Sequence, residues 1–505
     1  MLRFFPHVTR PSDVKGTAGP TPSASRSGKD QEASAVAARS GRSLVRTRAI
    51  AVLSAIAAGI SWLATSGTAS AQQSPIQHIV VLYLENHSFD NLLGFWCNDH
   101  PGRCPDGGMP ASVTLSQGGA VIPGVMPDIV PKVAHSVAAE KAAIDGGKMD
   151  GWQKVKGCAV QTGYACVGGY LPAQVPNLVD LARQFAISDM TFSMANSPSW
   201  GGHLYAVMGS LDGFLGNNPF PAPGFPVRSG WGCDSRHLTQ WRPPNGGAVL
   251  RVPSCVPDYR LGRRNGGAFE RTPVKHAPTI LDRLSAAGLS WRLYGEPKPS
   301  GNGTLAYGYV WDICPSFAEC LYTHQKANNV PSSTFIDDAR SGNLPNFSIV
   351  TPGGPDARFS EHNGFSITAG DNWLGQVASA VMHGPQWRST VLFITWDDCG
   401  CFYDQVRPGV NPDGTPQGPR TPLVIVSPYA KRGYTDTTAT TFAGILGYTE
   451  HTFGLTPLGV NDQKAYPFTN AFDYHQHQQQ AVPMVNRPLP PDAYHVDMKQ
   501  AKQGS

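Results

Sequence analysis

Ile79-Val80-Val81-Leu82-Tyr83-Leu84-Glu85-Asn86 is the stretch from which the fold can be read. It closes a nearly continuous apolar run that begins at Ile76, is rich in β-branched residues, and ends abruptly in a carboxylate and an amide. A strand with apolar residues at successive positions is covered on both faces, as a parallel sheet between layers of helices requires. Thr390 to Trp396 repeats the pattern and ends in Asp397-Asp398. Pro422 to Ser427 is a third run, and Leu289 to Tyr294 and Leu344 to Val350 are weaker ones. Between them, apolar residues recur at three-to-four spacing over Asn177 to Phe185, Pro278 to Ala287, Asn372 to His383 and Thr440 to Phe453, with Pro278 placed as a first-turn proline. The expected fold is therefore α/β, with a central, mostly parallel sheet flanked by helices. Long loop insertions are expected at 97–135 and 213–275, where Gly, Pro and Asn are dense.

With 41% hydrophobic residues in 505, the chain has the composition of a globular protein. Its formal charge of +4 is concentrated at the start: residues 1–71 hold nine Lys/Arg against three Asp/Glu, which leaves about −2 for the rest. That removes the electrostatic case for nucleic acid as a partner. The basic segment runs into an apolar stretch from Ala49 to Ala64 and then Ala69-Ser70-Ala71, a signal-peptidase pattern with cleavage expected before Gln72. The expected organisation is a basic segment and signal peptide over 1–71, a globular catalytic domain over 72–474 and a polar tail over 475–505. His475 and His477 are expected to belong to that tail and not to a metal site. The mature protein is expected to be secreted or periplasmic, without stable membrane insertion.

Ten cysteines fit an oxidising compartment, and no CxxC pair points to zinc. Expected disulfides are Cys97/Cys104, Cys158/Cys166, Cys233/Cys255 and Cys314/Cys320. Cys399 and Cys401 are expected to form one more, with each other or with a neighbouring loop.

The two most apolar strands thus end in Glu85-Asn86 and Asp397-Asp398, and ligands of open α/β sheets bind beyond such strand ends. Three carboxylates in one place repel one another, and a divalent cation relieves the repulsion. Oxygen ligands suit calcium, magnesium or manganese, and zinc accepts them too. Capping of the following helices is the alternative reading of each pair taken alone. In Asn196-Ser197-Pro198-Ser199-Trp200-Gly201-Gly202-His203-Leu204-Tyr205, Ser199 is placed to begin a helix, where free amides stabilise an anion. That position suits a nucleophile, or simply an N-cap.

Ile79 to Asp90, reading IVVLYLENHSFD, resembles the opening motif of the bacterial phosphoesterase family that contains acid phosphatase A and non-haemolytic phospholipase C. Further matches are His135-Ser136, Gly147-Lys148-Met149-Asp150-Gly151-Trp152, Phe185 to Asp189, Glu361-His362, Trp396-Asp397-Asp398, Phe402-Tyr403-Asp404, and Arg420-Thr421-Pro422 through Ser427-Pro428. They occur in the family's order across roughly residues 76–473. The resemblance implies a fold like that of alkaline phosphatases and sulfatases, and a metal-dependent hydrolase of phosphomonoesters or phospholipids. It implies Glu85, Asn86, Asp397 and Asp398 as metal ligands and Ser199 as nucleophile, with Ser197 as the fallback. His135 is implied beside the phosphoryl group and His362 beside the leaving group, with the amides after Ser199 sharing the phosphoryl charge. There are departures. Cys399-Gly400-Cys401 replaces a Gly-Gly, Gln405 stands in place of a histidine, Thr435 to Phe442 lacks a histidine found in relatives, and Gly202-His203 replaces an Asn-Arg pair. Phospholipase C proper and a secreted binding protein without catalysis are the competing functional readings.

Overall fold

The computed structural model describes residues 74–223, 231–243, 245–261, 272–296 and 311–494. The expected signal segment lies outside the described residues, as does the tail beyond 494. Eight strands form one sheet: β1 (His78–Leu84), β2 (Ala186–Ser188), β3 (Trp291–Gly295), β4 (Asn329–Pro331), β5 (Phe347–Val350), β6 (Thr390–Trp396), β7 (Leu423–Val426) and β8 (Thr435–Asp436). Their spatial order is β4-β3-β5-β1-β6-β7-β2-β8. β1 is central and parallel to both β5 and β6, whereas β7 runs antiparallel to its two neighbours. The sheet is mostly parallel, as the apolar runs require.

β6 is buried along its whole length and β1 from Ile79 onward. Strands apolar on both faces cannot set their register by alternation. Their polar ends do so, because sliding β1 forward would drag Glu85 between apolar neighbours without compensation. The resulting register pairs Leu84 with Trp396, and Asp397 N donates to Leu84 O at 3.0 Å. Both strands therefore stop level, and their acidic ends lie side by side.

The main helices are α1 (Phe89–Asp99), α2 (Val137–Ile144), α3 (Pro176–Gln184), α4 (Ser199–Tyr205), α5 (Ile280–Ala286), α6 (Phe335–Ser341), α7 (Ile367–His383) and α8 (Ala443–Phe453). Caps decide where several begin. Ser88, Ser136 and Ser366 each accept a hydrogen bond from the amide three residues on, opening α1, α2 and α7. Thus α7 starts ahead of the periodic stretch from Asn372. Thr279 caps α5 in the same way, which leaves Pro278 outside the helix and not in its first turn. Thr440 and Thr441 pair with Thr191 and Phe192 as short strands, so α8 starts only at Ala443.

All four expected short-range disulfides are formed. In the insertion at 213–275, strands Phe220–Pro221, His237–Trp241 and Leu250–Pro253 form a small antiparallel sheet, with Cys233–Cys255 as its staple. The tail is held to the body: Val485 N donates to Asn177 Oδ1 at 2.7 Å and Arg487 N to Asn372 Oδ1 at 2.9 Å. His475 and His477 join no ligand cluster among the described residues. No described helix is long and apolar enough to cross a membrane.

Candidate active site

The level ends of β1 and β6 bring Glu85, Asn86, Asp397 and Asp398 together. Asn86 has φ +65°, a left-handed conformation that asparagine tolerates better than most residues. That turn aims its amide N at Asp397 Oδ1, 3.0 Å away, and Asp398 N donates to the same oxygen at 2.8 Å. Gly400 follows with φ +58°, and a Cβ there would lie 2.4 Å from Asn86 O, so only glycine lets the two loops meet.

α4 approaches from the other side. Ser199 is its first residue, with Pro198 at the cap, and the hydroxyl does no capping: it donates to Glu85 Oε2 at 2.9 Å. Gly202 sits directly on the end of β6, where a Cβ would meet Asp397 O at 2.7 Å. The Tyr83 hydroxyl donates to Gly202 O at 2.9 Å and fixes that contact. His135 immediately precedes the cap of α2, and His362 lies in the loop after β5; their rings meet edge to face, with centroids 5.4 Å apart. All seven residues picked out in the sequence thus lie around one centre, and Ser199 is 1% exposed.

Other expectations at the site need correcting. The amides after Ser199 are taken: Trp200 N donates to Asn218 Oδ1 at 2.8 Å and Gly201 N to Gly216 O at 3.2 Å. A loop distant in sequence fills the place foreseen for phosphoryl oxygens. Cys399 and Cys401 form no disulfide; both are free and buried. The other eight cysteines are paired with one another. The tight turn joins the two free residues through a Cys401 N to Cys399 Sγ hydrogen bond of 3.2 Å. Gln405 turns away from the centre and donates to Gly108 O at 2.7 Å.

Burial dominates the electrostatics. It holds the Glu85 carboxyl well above its usual range, with the charges of Asp397 and Asp398 adding to the effect. It also pushes Asp397 up to about 8 and Asp398 to about 7. Three desolvated carboxylates of this kind stay ionised together only if a cation joins them.

Two details fit a cation. The side-chain oxygen of Asn86 faces Asp397 Oδ1 at 3.3 Å and both Asp398 oxygens at 3.1 Å, a set of oxygens with no hydrogen between them. Asp397 Oδ2, fully buried, receives no hydrogen bond from the described residues. Turning the Asn86 amide over would offer N–H to the carboxylates instead, but its nitrogen already faces the Nε2 atoms of His135 at 3.4 Å and His362 at 3.1 Å. The Nδ1 atoms of these rings face the carbonyls of Val133 and Asn363, so the protons belong on Nδ1 and both Nε2 atoms are acceptors. Burial lowers both rings' affinity for a second proton, that of His362 to about 3. The whole arrangement is consistent with Asn86 giving its oxygen to an ion and its N–H groups to the histidines.

One residue of the site was given no role in the sequence. His203 Nε2 lies 2.8 Å from Glu85 Oε1 and 3.9 Å from Asp397 Oδ2, and the three side chains form a group able to hold a metal. Its four-residue spacing from Ser199 puts both on one helix face, and that spacing was the available signal. The remaining motif residues brace the site. Buried Arg420 donates to Asp90 Oδ1 at 3.0 Å, Asp404 Oδ1 at 2.8 Å and Asp189 O at 2.8 Å, tying together four separate parts of the chain.

The profile of the Phosphoesterase family matches residues 76–456. The chain is 23% identical over 390 residues to non-specific phospholipase C6 of Arabidopsis thaliana, covering 72% of this chain and 63% of that protein. It is 22% identical over 418 residues to phospholipase C B of Mycobacterium tuberculosis, covering 72% and 71%. It thus spans less than two thirds of the plant relative's length. A solved protein of the alkaline phosphatase superfamily from Vibrio parahaemolyticus is 13% identical with a TM-score of 0.30, covering 58% of this chain and 64% of that one. Similarity that loose adds nothing to the fold derived above.

Proposed function

The chain belongs to the phosphoesterase family, and from that premise we propose that it hydrolyses phosphate esters through Ser199, with one divalent ion held by Glu85, Asn86, Asp397 and Asp398. The observation that carries this reading is the 2.9 Å hydrogen bond from the Ser199 hydroxyl to Glu85, beside an Asn86 oxygen that faces only carboxylates. When bound, the ion supplies positive charge against the seryl oxygen and the phosphoryl group. Glu85 Oε2 orients the Ser199 hydroxyl and receives its proton, the seryl oxygen bonds to phosphorus in line as the bond to the leaving oxygen breaks, and that oxygen takes a proton from water to depart as the alcohol, leaving a phosphoserine. His135 is assigned to the phosphoryl oxygens and His362 to the departing alcohol, the roles that the family resemblance implies. Water entering opposite the serine then releases phosphate, or a phosphorylated headgroup when the substrate is a phospholipid. The second outcome is favoured by the relatives, which are themselves described as phospholipases C. The four disulfides support function outside the reducing cytoplasm, secreted or periplasmic.

The test is Ser199→Ala assayed on para-nitrophenyl phosphate and para-nitrophenyl phosphorylcholine. Turnover is expected to fall by roughly a thousandfold or more with metal content retained. Ser197→Ala, which removes a hydroxyl not bonded to Glu85, is expected to be mild. Acid quenching of the parent should trap the phosphoryl group on the peptide holding Ser199. Near-normal turnover by Ser199→Ala would refute the assignment.

A further inference from the structure

Sequence comparison marks His203 only as a departure from the family pattern, but its surroundings give it chemistry. The ring is buried. Nε2 faces Glu85 Oε1 at 2.8 Å and Asp397 Oδ2 at 3.9 Å. A neutral imidazole carries a single N–H. Nε2 and Glu85 Oε1 share one hydrogen at that distance, in the place an ion would take. Exchange of that hydrogen for a divalent ion leaves His203, Glu85 and Asp397 as three buried donors around one small volume. Ligand atoms around a zinc-sized ion, about 2.0–2.2 Å from each donor, stand roughly 3–4 Å from one another; of the two separations here, 3.9 Å lies within that spacing and 2.8 Å just below it.

We propose that His203 binds the divalent ion directly through Nε2, so that the centre is a mixed nitrogen–oxygen site selecting zinc or a similar borderline ion over magnesium and calcium. The proposal deepens the reading given above and rests on it. Imidazole favours such ions, while an all-oxygen set favours hard ones. The position of His203 serves this role: it lies one turn after Ser199 on α4, and Gly202 lets that helix settle against the end of β6. The other acid–histidine group among the described residues, Asp258, His276 and Glu319, is different. There Arg260 Nη2 already supplies the positive charge, 2.7 Å from Asp258 Oδ2 and 3.1 Å from Glu319 Oε2.

The test uses the full protein stripped of metal and reloaded. Copper-loaded parent protein, labelled with 15N-histidine, should show strong 15N coupling in pulsed electron paramagnetic resonance, and His203→Gln should lose the strongest coupling. Calorimetry should show zinc affinity falling in His203→Gln by at least the ~10–100-fold known for loss of an outer-sphere partner, with magnesium affinity changed far less. Circular dichroism of the metal-free variant checks its fold, with His203→Asn as the second variant if His203→Gln does not fold, and strong coupling that survives in the folded variant belongs to another histidine and overturns the role of His203. Bound copper with no directly coupled nitrogen, or equal losses for zinc and magnesium, overturns the role of His203 and leaves the four-ligand reading intact. A parent that binds no divalent ion overturns both.

Discussion

Arg420 is wholly buried, and its guanidinium is the sole cation between the carboxylates of Asp90 and Asp404 among the described ion pairs. Replacing it with methionine fills much of the space but leaves two buried carboxylates facing each other. Breaking a buried pair in this way costs about 3–5 kcal/mol. Arg420→Met is therefore expected to lower the denaturant midpoint strongly at unchanged slope, and a midpoint equal to the parent's would show that the triad does not brace the fold. Asp312 allows a test by pH, well away from the proposed ion ligands in sequence. Its carboxyl accepts from Asn329 Nδ2 at 2.7 Å and Cys314 N at 3.1 Å, yet burial pushes it up to about 7. A raised carboxyl means that the folded state keeps a proton the unfolded chain has lost. Its contribution is complete below the unfolded value near 4 and is lost as pH rises through about 7, amounting to at most about 4 kcal/mol. Between those limits the parent should lose stability relative to Asp312→Asn, and a difference that stays flat with pH would contradict the assignment.

Among the elements, the contact between α4 and β6 is the one on which the site depends. Gly202→Ala places a methyl 2.7 Å from the Asp397 carbonyl, which is backbone and cannot yield cheaply. The helix must tilt away, carrying Ser199 and His203 with it. Turnover and metal affinity should each fall about tenfold or more, since a displacement near 1 Å can cost a hundredfold in rate, and the melting temperature of the metal-loaded protein should fall with the affinity. A variant with unchanged kinetics would mean that α4 is free to shift. The same scale explains what the sequence could disclose. β1 and β6 were legible because seven-residue apolar runs with polar ends have one placement, and the meeting of the acidic residues at their ends was legible with them. β2, β4 and β8 are two or three residues long and carry no periodicity, so pairing alone defines them. The helix starts at Ile280, Ile367 and Ala443 were set by caps and by a strand pair that the apolar spacing does not register. Asn218, which takes the amide of Trp200, reaches the site only through tertiary placement of its loop. His203 shared a helix face with Ser199 by its spacing, but that Glu85 lies on the same side is set by the tertiary fold.

For the molecule as a whole, the ion is expected to act as a structural tie as well as a reagent. A ligand bound only by the folded state adds RT ln(1 + [L]/Kd) to stability, about 2.7 kcal/mol at a hundredfold excess over Kd. Chelation should therefore lower turnover and melting temperature together, with both restored by adding metal back. Protein shown by mass spectrometry to be metal-free, yet fully active, would exclude the metal reading. The bond between Asn86 and Asp397 spans 311 residues of chain. At synthesis rates of about 5–20 residues per second, roughly 15–60 s pass between the appearance of one half of the site and that of the other. For most of that interval β1 has neither neighbour, since β5 and β6 both come late in the chain. An apolar strand bare on both edges invites association with other chains, so the newborn protein depends on being held apart until its last third has emerged. A product cut short before Asp397 would carry Ser199 without two of the four proposed ligands, and such premature fragments are expected to be silent.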